Sequence, residues 1–167
     1  DEFRTYFINR YADLINTEFQ IDEVTAKAHT MRDEIEPIFQ RHTQRWGTDG
    51  GALTGTLEWL LDWAEQRVQG GRDVVQNHFG MNDQVDITLD VQPAGAGRIH
   101  ISTLEPSETE YPWTGVYFNG NPVRITVYEN PGYTFSYWEA NGIFSENNTT
   151  REHVLNFTED LTFTAVF

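Results

Sequence analysis

The spacing of the apolar residues changes near residue 84. Upstream of this point they recur every three or four positions, which is typical of amphipathic helices. Downstream they alternate with polar residues, which is typical of half-buried strands. The sequence therefore predicts an α+β fold in two parts, with a helical unit over residues 1–84 and a small β unit over residues 85–167.

The upstream pattern predicts three or four helices. The first helix should end near Asn16, because its apolar stripe stops there. That stripe consists of Phe3, Tyr6, Phe7, Tyr11, Leu14 and Ile15. Asp22 is a candidate N-cap for the second helix. Pro37 should kink or restart that helix, since proline fits a first turn but not a helix interior.

Threonine and glycine residues predict where the remaining helices begin and end. Thr54 or Thr56 can cap the third helix, and Gly70-Gly71 should end it. A short further helix is predicted over residues 72–79, with Gly80 as its C-terminal stop.

The alternating region predicts seven short strands separated by turns. They are expected at residues 85–91, 98–102, 114–118, 123–128, 133–138, 153–157 and 161–167. Because the strands follow one another closely with no helix between them, we expect an antiparallel sheet or a small barrel.

Charge and composition exclude several classes of function. The chain carries 26 acidic and 11 basic residues, for a net charge of −15. Such a surface repels phosphate backbones and anionic lipids, so we expect no nucleic-acid binding. No apolar run approaches the length needed to span a bilayer, so we expect no membrane insertion. Cysteine is absent, which excludes disulfides and thiolate chemistry. The start DEFRTYFINR is too polar for a signal peptide, so we expect an internal piece of a longer protein.

Residues 85–167 resemble the divergent internalin-type B-repeat domains of bacterial surface proteins. The resemblance is carried by a P-x-G-x-G turn, a V-x-I-T strand, a P-G-Y-x-F-x-x-W segment and a closing T-x-T-A-x-F. Here these are residues 93–97, 123–126, 131–138 and 162–167. The insertion at residues 105–113 is longer than a plain repeat would carry. The resemblance implies a β-grasp-like sheet or a compact sandwich, and periodicity does not choose between them.

The helical half resembles the C-terminal helices of the CotH family, the spore coat protein H-like atypical kinases. The matching segments are residues 7–19, 35–37, 44–46 and 72–79. The resemblance implies an extracellular or cell-surface location. It also implies that the nucleotide-binding lysine and the catalytic and metal-binding aspartates lie upstream of residue 1. We therefore assign no catalytic residue and no cofactor to this chain, and expect the upstream catalytic domain to be its partner.

Aromatic residues of the β unit are the strongest candidates for ligand binding. They exceed what a sheet this small can bury, and exposed rings can stack on sugars or contact proteins. We predict a ligand site built from Trp113, Tyr117 and Tyr137, with Asn119 and Asn121 supplying polar contacts. Tyr133, Phe135 and Trp138 match the core of the repeat and are expected to be packed inside.

Other candidate chemistry is weaker. The glycine turn at residues 95–97 lacks the third glycine of a dinucleotide fingerprint and predicts a hairpin turn. No H-E-x-x-H pair is present. Asp83 and Asp86 are weak candidates for a calcium site, without the spacing of an EF-hand. We therefore assign no metal site from the sequence.

These observations favour a non-catalytic role. We predict the C-terminal region of a secreted or surface CotH-like kinase, with a β domain that tethers the protein or contacts a polysaccharide or surface protein. The alternative is a carbohydrate-binding module, and a third possibility is metal-assisted chemistry at the carboxylates of Glu58, Asp62 and Glu65. Trp59 and Trp63 should face upstream residues or a second copy of the chain.

Overall fold

The computed structural model describes residues 2–47, 51–140, 142–144 and 148–167. Within these ranges, three helices precede seven strands, which confirms the predicted α+β class. The helices are α1 (Glu2–Asn16), α2 (Ile21–Trp46) and α3 (Gly51–Phe79). The strands are β1 (Gln84–Gln92), β2 (Gly97–Ile101), β3 (Trp113–Phe118), β4 (Val123–Glu129), β5 (Tyr137–Ala140), β6 (Glu152–Leu155) and β7 (Leu161–Val166). Among the described residues, the helices include no candidate membrane span.

Helix α2 begins and continues differently from the prediction. Gln20 occupies the N-cap position, and its side chain makes no capping hydrogen bond. Asp22 lies in the first turn, where a carboxylate favours the positive end of the helix dipole. The helix does not restart at Pro37 but runs on to Trp46. Gly47 then ends it in the left-handed conformation, at φ 69°.

Helix α3 is one continuous helix, so the predicted break at Gly70-Gly71 is wrong. A glycine in a helix costs only about 1 kcal/mol, which tertiary packing can offset. Val75 lies one turn beyond these glycines and is buried in the core of the β region. Gly80 ends the helix at φ 64°, as the sequence predicts.

The strands form two sheets around one apolar core. The first has the order β3-β1-β7-β5, and the second has the order β2-β4-β6. Inward-facing residues of both sheets belong to the same buried cluster, which is the arrangement of a compact sandwich. Strand β7 pairs in parallel with β1, with Ile87 opposite Leu161. The purely antiparallel prediction is wrong for this pair, because the chain passes through the second sheet before it returns beside β1.

The segment before β5 is a turn rather than a strand. Tyr133 N–H closes the turn on Asn130 O at 3.1 Å. The N–H of Phe135 donates to the Glu129 carboxylate at 2.8 Å. The strand begins only at Tyr137, because the N–H groups of Tyr133 and Phe135 bond to Asn130 and Glu129 and not to a neighbouring strand. The Ser136 N–H, next to the strand, already donates to Val166 O of β7 at 2.8 Å.

Packing divides the chain into two compact units. One contains α1 up to Asp13 together with Val74–Phe167, and the other contains Leu14–Asp73. In the first unit, Ile8 and Ala12 of α1 belong to the same core as the strands. The change of pattern at residue 84 coincides with the start of β1. As a division into domains, the boundary at 84/85 stays a prediction.

The loop between β2 and β3 is held by Tyr111, which gives it a pH-dependent contact. The Ile99 N–H donates to the Tyr111 hydroxyl at 2.8 Å, and burial raises the pKa of Tyr111 to about 12. The folded state therefore keeps this proton above pH ~10, where an unfolded tyrosine loses it. Stability should fall as the pH rises from about 10 towards 12.

We expect a tyrosinate absorbance titration to contain a step near 12 that Tyr111→Phe removes. Tyr133→Phe is the matched control, since Tyr133 is exposed outside this loop. A titration in which Tyr111→Phe leaves the last step unchanged would contradict the assignment.

Candidate functional site

Helix α1 presents polar as well as apolar residues to the β region. Up to Asp13, its buried residues are Ile8, Asn9, Ala12 and Asp13, which share one helical face. The apolar stripe predicted from the sequence is only partly buried, since Ile15 is buried and Tyr11 and Leu14 are half-buried. Phe3, Tyr6 and Phe7 are 75%, 57% and 42% exposed. The periodicity failed here because polar side chains are buried when hydrogen bonds satisfy them.

Asp13 accepts three hydrogen bonds from the β region. The Tyr117 hydroxyl donates to Asp13 Oδ1 at 2.8 Å. The Thr103 N–H and hydroxyl donate to Asp13 Oδ2 at 2.9 and 2.7 Å. Asp13 is only 1% exposed, so these donors replace the water that a carboxylate would otherwise bind.

A second polar contact lies one turn earlier on α1. The Asn121 amide donates to Asn9 Oδ1 at 2.7 Å and to Thr5 O at 3.2 Å. The Asn9 amide in turn donates to Pro122 O at 2.8 Å. No sequence pattern predicts a role for Asn9 or Asp13 individually. Their spacing of four residues beside small or branched apolar neighbours was the one local signal.

A cavity of about 460 Å³ opens between α1 and the second sheet. We call it the α1 cleft. It is lined by Glu2, Thr5, Tyr6, Asn9, Ser102, Thr103, Pro122, Arg124 and Val154. The Arg124 guanidinium donates to Glu152 at 3.2 Å, and both side chains are exposed. The cleft thus combines hydroxyls, an amide, an exposed aromatic ring and charges of both signs.

Two of the predicted ligand-binding residues are buried. Tyr117 is 0% exposed and Asn121 is 3% exposed, and both bond to α1. A ring or amide without exposed surface cannot touch a ligand on the surface of the β region. In this structure, these two side chains fix α1 instead.

The other predicted residues do not form one platform. Trp113 lies on β3 and Tyr137 on β5, which are the opposite edges of the four-stranded sheet. Three strand spacings, roughly 14 Å, separate these two strands, and Trp113 is level with Ala140 rather than with Tyr137. Trp113 packs against the core. Tyr137 precedes buried Trp138 on β5 and therefore faces away from the core. The Tyr137 hydroxyl donates to the Glu139 carboxylate at 3.3 Å. Asn119 lies in the turn after β3, where its N–H donates to Asp83 O at 2.9 Å.

The weak metal candidates lie on the surface. Asp83 and Asp86 are exposed, and the N–H of Asp86 donates to Asp160 at 2.8 Å. Glu58, Asp62 and Glu65 are exposed on α3. Within the described part of the chain, no three histidine, aspartate or glutamate residues are grouped so that they could hold a metal ion.

The N-terminal part of the chain matches a known protein family. Residues 1–70 match the family model described as CotH kinase protein. This part of the chain is CotH-like. The matched segment contains α1, α2 and most of α3. Neither a curated protein nor a solved structure gives a significant match. The B-repeat resemblance of residues 85–167 stays a prediction.

Proposed function

We propose that this chain is the non-catalytic C-terminal region of a secreted or surface CotH-like kinase, and that its β region tethers the protein or contacts a partner. One observation carries the proposal. Ile8 and Ala12, inside the CotH-like segment, belong to the same buried core as the β strands. Asn9 and Asp13 add hydrogen bonds to that junction. The β region is therefore fixed to the first CotH-like helix rather than attached through a linker.

Exposed apolar residues of the second unit support an upstream partner. Helix α2 contains no buried residue among those described. Its large apolar side chains are exposed as well, with Ile38 at 63% and Trp46 at 65%. On α3, Trp59 and Trp63 are 65% and 48% exposed. Apolar side chains at this density favour burial against further protein. The upstream catalytic domain of the same protein is the partner we propose, with a second copy of the chain as the competing explanation.

A nucleotide-binding assay tests the non-catalytic assignment. Kinase chemistry relies on a lysine that holds the phosphates and on carboxylates that hold Mg²⁺. In our proposal these residues lie upstream of residue 1. We expect Mg-ATP to leave the melting temperature of this chain unchanged. A ligand at one hundred times its Kd would add about 2.7 kcal/mol of stability, a rise of roughly 5–10 °C for a chain of this size.

The control for that assay is the same titration with Mg²⁺ and sodium sulfate, which separates nucleotide binding from ionic strength. A saturable rise of the melting temperature with Mg-ATP alone would overturn the non-catalytic assignment.

The carbohydrate-binding alternative is favoured by a different observation, the α1 cleft, because its lining is rich in hydroxyls.

A further inference from the structure

The α1 cleft has the size of a small-molecule site. Its volume of about 460 Å³ falls within the range of roughly 300–1,000 Å³ that ligand pockets occupy. Thr5, Tyr6 and Asn9 line it from α1, whereas Arg124 and Val154 line it from β4 and β6. The cleft lies within a single compact unit.

The walls of the cleft are held before any ligand arrives. The Asn9 amide donates to Pro122 O at 2.8 Å, across one side of the cleft. Thr103 is bonded to Asp13, and the Ser102 N–H donates to Arg124 O at 2.8 Å. A site whose walls are already fixed loses little conformational entropy when it binds.

The chemistry of the lining favours a neutral, polyhydroxylated ligand. In the described structure, the hydroxyls of Thr5, Tyr6 and Ser102 have no hydrogen-bond partner and remain open to a ligand. Glu2 and Arg124 contribute one charge of each sign, so the cleft attracts neither anions nor cations strongly. The net charge of −15 further disfavours an anionic ligand.

Tyr6 supplies a surface for the apolar face of a sugar. Tyr6 is 57% exposed and lines the cleft together with the hydroxyls of Thr5 and Ser102, so one ligand can contact both the ring and the hydroxyls. The C–H groups on one face of a pyranose pack on an aromatic ring while the sugar hydroxyls bond to polar neighbours. We propose that the α1 cleft binds a sugar unit of a neutral glycan, with Tyr6 as the stacking residue. This inference rests on the carbohydrate-binding alternative and moves the site from the predicted strand aromatics to the cleft.

Affinity electrophoresis of the full chain tests the cleft. The gels contain hydroxyethylcellulose, galactomannan, xyloglucan or laminarin, and a gel without polysaccharide is the reference. We expect at least one polysaccharide to retard the chain. Tyr6→Ala should weaken that binding about tenfold or more, the loss expected of a central aromatic contact. Ser102→Gly should weaken it less, and the glycine suits the φ of 55° at this position.

Tyr133→Ala is the matched control, since Tyr133 is 43% exposed in the turn before β5 and lies outside the cleft. Circular dichroism checks that Tyr6→Ala and Trp113→Ala are both folded, since Trp113 packs against the core. Retardation that survives in Tyr6→Ala but is lost in Trp113→Ala would overturn the cleft and return the glycan site to β3. Uniform mobility in every gel would overturn glycan binding altogether. Neither result bears on the Mg-ATP test, so failure of this inference is distinct from failure of the non-catalytic assignment.

Discussion

Asp13→Ala should lower the free energy of unfolding by roughly 3–5 kcal/mol, because it leaves the Tyr117 hydroxyl and both Thr103 donors without their acceptor. Asp13 is 1% exposed and Tyr117 is fully buried, so water cannot readily replace the lost oxygens. Urea unfolding followed by circular dichroism measures the effect. The loss should be visible as a lower midpoint, with the slope unchanged.

Tyr117→Phe and the double variant with Asp13→Ala test how much of this loss comes from the hydrogen bond between Tyr117 and Asp13. Tyr117→Phe removes one donor and should cost about 1–2 kcal/mol. The double variant should then cost less than the sum of the two single variants, because both remove the same contact. Asp83→Ala is the control at an exposed carboxylate and should stay within about 0.5 kcal/mol of the wild type. If Asp13→Ala matched Asp83→Ala, the hydrogen bonds of Asp13 would contribute nothing to the junction.

Gly97→Ala should destabilise the β region by about 3 kcal/mol, because β2 has no room for a methyl group at its first residue. A Cβ at this position would collide with the Phe167 ring and lie 2.5 Å from the Tyr128 carbonyl oxygen. The ring can shift, but the carbonyl belongs to β4 in the middle of the second sheet. Urea unfolding of this variant again measures the loss.

Gly70→Ala is the matched control for Gly97→Ala. No neighbouring heavy atom lies within 4 Å of its added Cβ, and the residue is inside α3. This substitution should stabilise the chain by about 0.5–1 kcal/mol through helix propensity. Equal losses at both glycines would show that backbone freedom, and not the close approach of Phe167 and Tyr128, sets the cost at Gly97.

Local patterns predicted the elements well where each element depends on its own residues. The alternation of residues 85–91 predicted β1, which extends from Gln84 to Gln92. Gly80 was identified as a helix stop from its residue type alone and adopts the left-handed conformation that such a stop requires. The CotH resemblance of the N-terminal part also came from short local motifs, and the match over residues 1–70 supports it.

Local patterns failed where distant residues satisfy one another. The sequence placed Tyr117 and Asn121 among the exposed ligand-binding residues, yet they bond to residues of α1 that lie 104 and 112 positions away. It placed Phe3 and Tyr6 on the buried stripe, but the buried face includes Asn9 and Asp13. A side chain of either polarity can be buried or exposed, and its partners decide which.

Periodicity and charge are local properties of the chain, so they are enough to predict the α+β class, the order of the elements and the acidic surface. The parallel pairing of β7 with β1, the core that α1 shares with the strands, and the cleft beside Tyr6 are visible only in the folded chain. Each of these depends on contacts between residues far apart in the chain. Such contacts form when burial and hydrogen bonding together outweigh local preference.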